Sequence, residues 1–118
     1  MTSSHDPQLL KGVLSLLLLH FLAEQESYGY AVVQRIHGIG LVDILDGTVY
    51  PALARLERED LVSSRLVSSN SGPARKYYRP TPAGYEALTN GAANWLFLNE
   101  IVGSVLNRPL PKEPIRGV

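Results

Sequence analysis

The sequence predicts a mainly α-helical fold with one small β-hairpin, in a single domain. Three observations carry this. Asp6-Pro7 and Thr81-Pro82 each place a capping residue before a proline, and each opens a long apolar-rich helical pattern. The segment DGTVYPALARLERED, Asp46 to Asp60, is amphipathic at helical spacing: Val49, Leu53 and Leu56 share one face, Thr48, Pro51, Arg55 and Arg58 the other, with Tyr50 and Ala54 flanking them. Directly after it, Leu61 to Ser68 and Arg75 to Arg79 are strand-like runs around the turn signal Asn70-Ser71-Gly72-Pro73.

A chain of 118 residues builds a modest core and falls short of the size at which a second core is expected. It has no cysteine, which excludes a disulfide framework and a thiolate metal site and fits the reducing cytoplasm, the expected location. The apolar run Leu9 to Leu22 is broken by Lys11, Gly12, Ser15 and His20 and falls short of the roughly 20 residues of a membrane span. It also lacks a basic leader and a signal-cleavage context. A buried helix is expected there, and no membrane partner.

The first helix is expected from Pro7 to about Glu24. Leu9, Leu10, Val13, Leu14, Leu16 to Leu19, Phe21 and Leu22 cover more than the one stripe that a small core uses, so a second packing partner is implied. Another copy of the chain is the economical candidate, since such a face left in water is larger than monomers usually tolerate. Ser27 is placed to cap a second helix, from about Tyr28 to His37, with Tyr30, Val33 and Ile36 facing inward and Gly38 and Gly40 ending it. Leu41 to Leu45 is short, apolar and β-rich, and is expected to add a brief strand beside the hairpin.

In the third helix Asp46, Gly47 or Thr48 serves as cap, and Pro51 falls in or just after the first turn, where few backbone donors are lost. Two helices joined in this way form a helix-turn-helix, whose second helix enters a major groove by its N-terminal residues. Thr48, Tyr50, Pro51, Ala54 and Arg55 are therefore the candidate contacts to double-stranded DNA. Arg55 can fork onto guanine or a phosphate, and the hydroxyls of Thr48 and Tyr50 suit phosphate oxygens. Each has an ordinary use as well: Thr48 as a cap, Tyr50 as partial core, and Arg55 and Arg58 as partners of Glu57 or Glu59 on a solvated helix.

Formal net charge is zero, which argues against indiscriminate coating of nucleic acid. The distribution is uneven. Residues 1–60 hold four Lys or Arg against eight Asp or Glu, whereas residues 61–81 hold four against none. Strand alternation puts Arg75, Tyr77 and Arg79 on one face of the hairpin and Lys76 and Tyr78 on the other, with Tyr78 expected against the third helix. Arg75 and Lys76, nearest the tip, are the candidate wing contacts to phosphate or a minor groove, and Arg65 lies on the partner strand. A basic hairpin is also a common protection of a sheet edge, so the charge run alone leaves both uses open.

The last helix is expected from Pro82 to about Asn107. Tyr85, Leu88, Ala92, Trp95, Asn99, Val102 and Leu106 follow alternating steps of three and four, a coiled-coil seam with one polar position, and Leu98, Ile101 and Val105 make a second stripe. Gly84, Gly91, Gly103 and several asparagines weaken this helix, so it is expected to need a partner. Leu10, Leu14 and Leu17 on the first helix and Leu88, Trp95 and Val102 on the last are the candidate homodimer interface. Residues 1–81 then form the DNA-binding region, 82–107 a dimerisation helix of the same domain, and 108–118, with Pro109, Pro111 and Pro114, a flexible tail.

GTVYPALARLE, DLV, GPARKYY and TPAG, with YGY at Tyr28 to Tyr30, together resemble the signature of PadR-type transcriptional regulators, bacterial winged-helix repressors, over roughly residues 9–88. The resemblance implies a winged helix-turn-helix with a C-terminal helix that packs on the first helix of a second copy. It implies a homodimeric DNA-binding repressor, often ligand-responsive. Pro80 departs from the family pattern, which usually has an apolar residue there. Some PadR-like regulators take flat aromatic effectors at the dimer interface, and Trp95 offers an indole for stacking on one; the commoner use of such a tryptophan is an interface anchor.

His5, His20 and His37 lie on separate elements, and no catalytic or phosphate-loop motif is present, so neither an enzyme nor a cofactor is expected. Asp43 and Asp46 lack the other ligands of a calcium loop, and no metal is expected. The rival to a DNA-binding repressor is a winged-helix module that serves as an interaction scaffold without DNA, kept open by the net neutrality and the acidic N-terminal half.

Overall fold

A computed structural model describes residues 10–112. Along them follow α1 (Leu14–Glu24), β1 (Ser27–Tyr28), α2 (Gly29–Gly38), α3 (Asp46–Arg58), β2 (Val62–Ser69), β3 (Gly72–Pro80) and α4 (Pro82–Leu106). The strands form one antiparallel sheet in the order β1-β3-β2, so the hairpin supplies its centre and one edge. α2 and α3 form the helix-turn-helix pair, β2 and β3 the wing.

The core is built where the apolar faces meet. Leu18, Val32, Ile36, Val49 and Leu53 have no measurable exposure, and Leu56 and Val62 have almost none. Each such side chain contributes roughly 1.5–3 kcal/mol over leaving it in water. The hydrophobic face of α3 is therefore fixed against α1 and α2, which turns its other face outward. In the sheet, the inward alternation of β3 buries Tyr78 and Pro80, with Pro80 paired to Val62. Proline thus occupies the apolar slot at the end of the wing.

α3 ends in a Schellman motif. The Leu61 amide bonds the Leu56 carbonyl at 2.9 Å and the Asp60 amide the Glu57 carbonyl at 3.0 Å. This puts Asp60 in the left-handed region at φ 62°, a conformation that aspartate tolerates better than most side chains. The chain then turns directly into β2. At the far end of the wing, Thr81 caps α4: its Oγ1 accepts the Gly84 amide at 3.0 Å, and Pro82 fills the first turn.

Several expectations are corrected. The segment Leu41 to Leu45 is a turn; the third strand is Ser27–Tyr28, paired with Tyr78 and Tyr77. β3 offers one free edge, and β1 takes it because it leads straight into α2. Ser27 consequently does not cap α2; its Oγ donates to the Gln25 carbonyl at 2.9 Å, and Tyr28 holds the cap position. Tyr30, at the start of α2, is 54% exposed, and Val32 takes the inward place beside Val33 and Ile36. α3 begins at Asp46 after Leu45 with no side-chain cap, so Pro51 lies in the second turn and the Gly47 carbonyl loses its usual donor.

The first helix does not run through from Pro7. The chain turns at Gly12 and Val13, where the Val13 amide bonds the Leu10 carbonyl at 2.9 Å; glycine is a poor helix interior. Residues 7–9 lie outside the described part. Leu10 and Leu14, expected at a dimer interface, are 8% and 7% exposed and belong to the core of the single chain. α1 is surrounded by α2, α3, β3 and α4, so one protomer covers more of it than a single-stripe helix would need.

α4 is different. Its 25 residues make a rod about 37 Å long, in a molecule whose longest dimension is 66 Å. Its N-terminal half lies on α1, and its only buried residue is Gly84. Beyond Trp95 the apolar seam is bare: Leu98, Ile101, Val102, Val105 and Leu106 are exposed. The chain beyond Asn107 has left the helix and is exposed as far as 112; the rest of the expected tail lies outside the described residues.

Candidate nucleic-acid interface

The outward face of α3 carries Thr48, Tyr50, Pro51, Ala54, Arg55 and Arg58, all exposed, while Val49, Ala52, Leu53 and Leu56 are buried beneath them. The candidate DNA-facing residues of this helix thus share one surface of a helix 13 residues long. No acidic side chain interrupts it between Thr48 and Arg55.

Tyr50 is positioned by α2. Its ring lies on Gly29, where an added Cβ would come within 2.1 Å of Tyr50 Cε1, so the bare backbone of Gly29 forms a seat for the ring. Partial burial, followed by the nearby Asp46 carboxylate, pushes the Tyr50 phenol above its ordinary range. It therefore remains a hydroxyl that donates, the form a phosphate oxygen accepts. Arg55 folds back onto α1, with Nη2 donating to Ser15 Oγ at 2.9 Å. That bond is exposed and neutral at its acceptor, so the guanidinium exchanges this partner at little cost.

The wing is tied to α3. Lys76 Nζ donates to Glu57 Oε1 at 3.0 Å and sits 5.7 Å from the Tyr78 ring centroid. Ser64 Oγ donates to the other Glu57 oxygen at 2.5 Å. These two bonds, the serine's the larger, hold the Glu57 carboxyl below the usual carboxylate range, and Glu57 in turn raises the Lys76 ammonium. Lys76 is thus partly neutralised in the unbound chain. Arg75 has no carboxylate within salt-bridge distance among the described residues; its guanidinium lies 4.5 Å from the Tyr28 ring centroid. Tyr28 also packs on Tyr77, with centroids 5.2 Å apart, and on Tyr30, nearly parallel at 6.5 Å.

Arg65 is withdrawn from the basic patch. It makes a bidentate pair with Glu26, at 2.7 and 2.8 Å, which lowers the Glu26 carboxyl and raises the guanidinium. Arg75 and Arg79 are left as the more available wing cations. Sequence reasoning missed Glu26 and the roles of Glu57, Tyr28 and Gly29. The clamps join residues 19 and 39 apart in the chain, and no local pattern signals them; only the YGY run drew attention to Tyr28 and Gly29.

The dimer candidates divide. Leu17 and Leu88 are half-buried against the core, Trp95 and Val102 are 40% and 42% exposed, and Leu10 and Leu14 are interior. Between α1 and α4 lies a largely apolar groove of about 240 Å³, walled by Val13, Leu16, Leu17, Leu88, Ala92, Trp95 and Leu96, with His20 also on its lining. Trp95 stands at its edge. Among the described residues no helix is long and apolar enough to cross a membrane.

Comparison with known proteins agrees with this architecture. Residues 18–90 match the model of the transcriptional regulator PadR-like family. A transcriptional regulator of Mycobacterium tuberculosis is 40% identical over 81 residues, 67% of this chain and 72% of that protein. A PadR-like regulator from Bacillus cereus superimposes with a TM-score of 0.78 at 33% identity, over 86% of this chain and 99% of the other. A PadR family regulator from Eggerthella lenta gives 0.77 at 35% identity, over 86% and 88% of the two chains. With the winged helix-turn-helix, the exposed α3 face and the family match in agreement, the chain belongs to the PadR-like family of transcriptional regulators.

Proposed function

We propose that the chain acts as a homodimeric repressor on a pseudo-palindromic operator, with α3 in the major groove and the wing on the flanking backbone. The observation that supports this most directly is the exposed stripe of α4, from Trp95 to Leu106, on a helix that also continues directly from the wing. An apolar stripe of this length is matched most simply by its own copy, and two-fold symmetry then sets two α3 helices at a fixed separation. Thr48, Tyr50, Pro51, Ala54, Arg55, Arg75 and Lys76 are the proposed DNA contacts. Leu17, Leu88, Trp95 and Val102 are the proposed dimer contacts, and the proposed site of action is the cytoplasm.

Family membership makes the chain a regulator of transcription and not an enzyme, which removes the scaffold reading in its general form. The finer proposal is tested by selecting bound sequences from random duplex DNA and footprinting the result. Two symmetric half-sites about one helical turn, roughly 34 Å, or a multiple apart are expected. Equal binding to random duplex at moderate salt defeats it. Release by a planar aromatic effector at Trp95 is the corresponding proposal for regulation; it is tested by Trp95 quenching with and without operator, where linkage demands unequal affinities.

A further inference from the structure

Between the start of the described chain, the turn before α3 and the flank of α3 lies a cavity of about 480 Å³, within the usual range of small-molecule sites. Its floor is aliphatic: Leu10, Leu14, Ile44 and Ala52 are all buried. Its rim carries Lys11, Arg55 and Arg58, all exposed. Among the described residues none of these three makes an ion pair; the α3 carboxylate Glu57 bonds Lys76 and Ser64 instead. Among the described residues Asp43 is the one carboxylate on the wall, so the described cations outnumber the described anions around a concave, partly apolar space. The wall is fixed: His37 Nε2 donates to the Ile44 carbonyl at 2.6 Å.

Uncompensated cations beside low-dielectric walls concentrate anions, and a guanidinium recognises a carboxylate through two parallel bonds. A DNA phosphate satisfies the rim alone, since a phosphodiester has no apolar group to place on the floor. We propose that the cavity binds a small organic carboxylate with a compact aliphatic body, its charge on the Lys11, Arg55 and Arg58 rim and its body over Leu14 and Ile44. Because Thr48, Pro51 and Arg55 line the cavity and also belong to the exposed face of α3, the bound carboxylate competes with DNA. This second half rests on the reading of that face as DNA-contacting; the binding site itself does not.

The test is calorimetry on the full chain without DNA, using adamantane-1-carboxylate and octanoate against their neutral amides. The carboxylates are expected to bind at least tenfold more tightly than the amides. Lys11→Gln with Arg58→Gln, both at exposed positions, is expected to lose at least tenfold, and the charge-matched control Arg108→Gln with Lys112→Gln to lose nothing. The site is overturned if neither carboxylate binds, if amides bind as well, or if both double variants lose equally. With a selected duplex present, the apparent DNA Kd should rise in proportion to carboxylate concentration. Carboxylate binding without that rise overturns the competition alone, and a chain that binds no duplex defeats the DNA reading while the calorimetric comparison still decides the site.

Discussion

Thr81 Oγ1 donates to the Asp60 carbonyl at 2.6 Å while it accepts the Gly84 amide at 3.0 Å, so one hydroxyl joins the end of α3 to the start of α4. The Thr81 amide also bonds the Leu61 carbonyl at 3.1 Å. The same carbonyl would lie 1.9 Å from a Cβ on Gly84, so α4 starts in direct contact with the exit of α3. In the proposed dimer, where α4 would set the separation of two copies, this junction would transmit that separation to α3.

Thr81→Val is therefore expected to destabilise the fold by about 1–2 kcal/mol, the usual cost of losing a capping oxygen, and Thr81→Ser to restore most of it. Thermal unfolding at one protein concentration measures both. Equal stability of the valine variant and the natural chain would show that the hydroxyl closes nothing.

Gly29→Ala is expected to weaken DNA binding without unfolding the chain. The new methyl collides with the edge of the Tyr50 ring, a side chain that is 41% exposed and able to swing away. The ring moves, and its hydroxyl leaves the face it shares with Thr48 and Arg55. A loss of about 1 kcal/mol in DNA affinity, one hydrogen bond's worth, with unchanged circular dichroism is the expected pair of results.

How much of this was legible in the sequence depends on the range of the interaction. The two faces of α3, the hairpin and the Thr81 cap are local patterns of three to eight residues, and each appears where periodicity places it. The Glu57–Lys76 and Glu26–Arg65 clamps are not local, and helix periodicity points Arg55 toward its own helix neighbours, not toward Ser15 of α1. Leu10 and Leu14 were misplaced for a related reason. An apolar excess on a helix shows that several surfaces must cover it, but not whether they come from one chain or two.

The Glu57–Lys76 clamp gives a pH dependence with two edges. The Glu57 carboxyl is held below its ordinary range, so its share of stability is full above the unfolded carboxylate value, about 4.3, and is lost as pH falls through the folded value. The Lys76 ammonium is raised, so its share is full below about 10.4 and is lost as pH rises through the folded value. The pair is partly exposed and screened, and its whole contribution is expected at about 1 kcal/mol or less. Glu57→Gln should flatten the acid edge of a stability-against-pH profile. It also frees Lys76, and non-specific DNA affinity should rise.

Arg75→Ala and Arg55→Ala are expected to differ in kind. Arg75 is a wing cation that pairs with no carboxylate among the described residues, so its loss should weaken binding to all duplexes alike and reduce the salt slope by about one unit. Arg55 lies on the α3 face, and its loss should cost about 1–3 kcal/mol, concentrated on one base position, if it reads a base. Isotherms at several salt concentrations, on matched and altered duplexes, separate the two. An unchanged slope for Arg75→Ala would return the wing charge to the role of a solvated edge.

Val102→Asp separates folding from assembly. Within one chain Val102 is 42% exposed and is not packed against the core, so a carboxylate there leaves the protomer's interior intact. In a symmetric α4 seam the same substitution sets two carboxylates close together in an apolar contact, where like charges and desolvation both oppose association. The variant is expected to sediment as a monomer and to keep its helical circular dichroism. Its melting temperature should also be lower than that of the natural chain, whose own melting temperature should rise with protein concentration. Operator affinity should fall at least a hundredfold, because two half-sites are no longer engaged together. A Val102→Asp chain that sediments as a dimer would place the contact elsewhere than on this stripe. A natural chain that melts at the same temperature over a hundredfold dilution and sediments as a monomer would show that α4 is not a dimerisation helix at all.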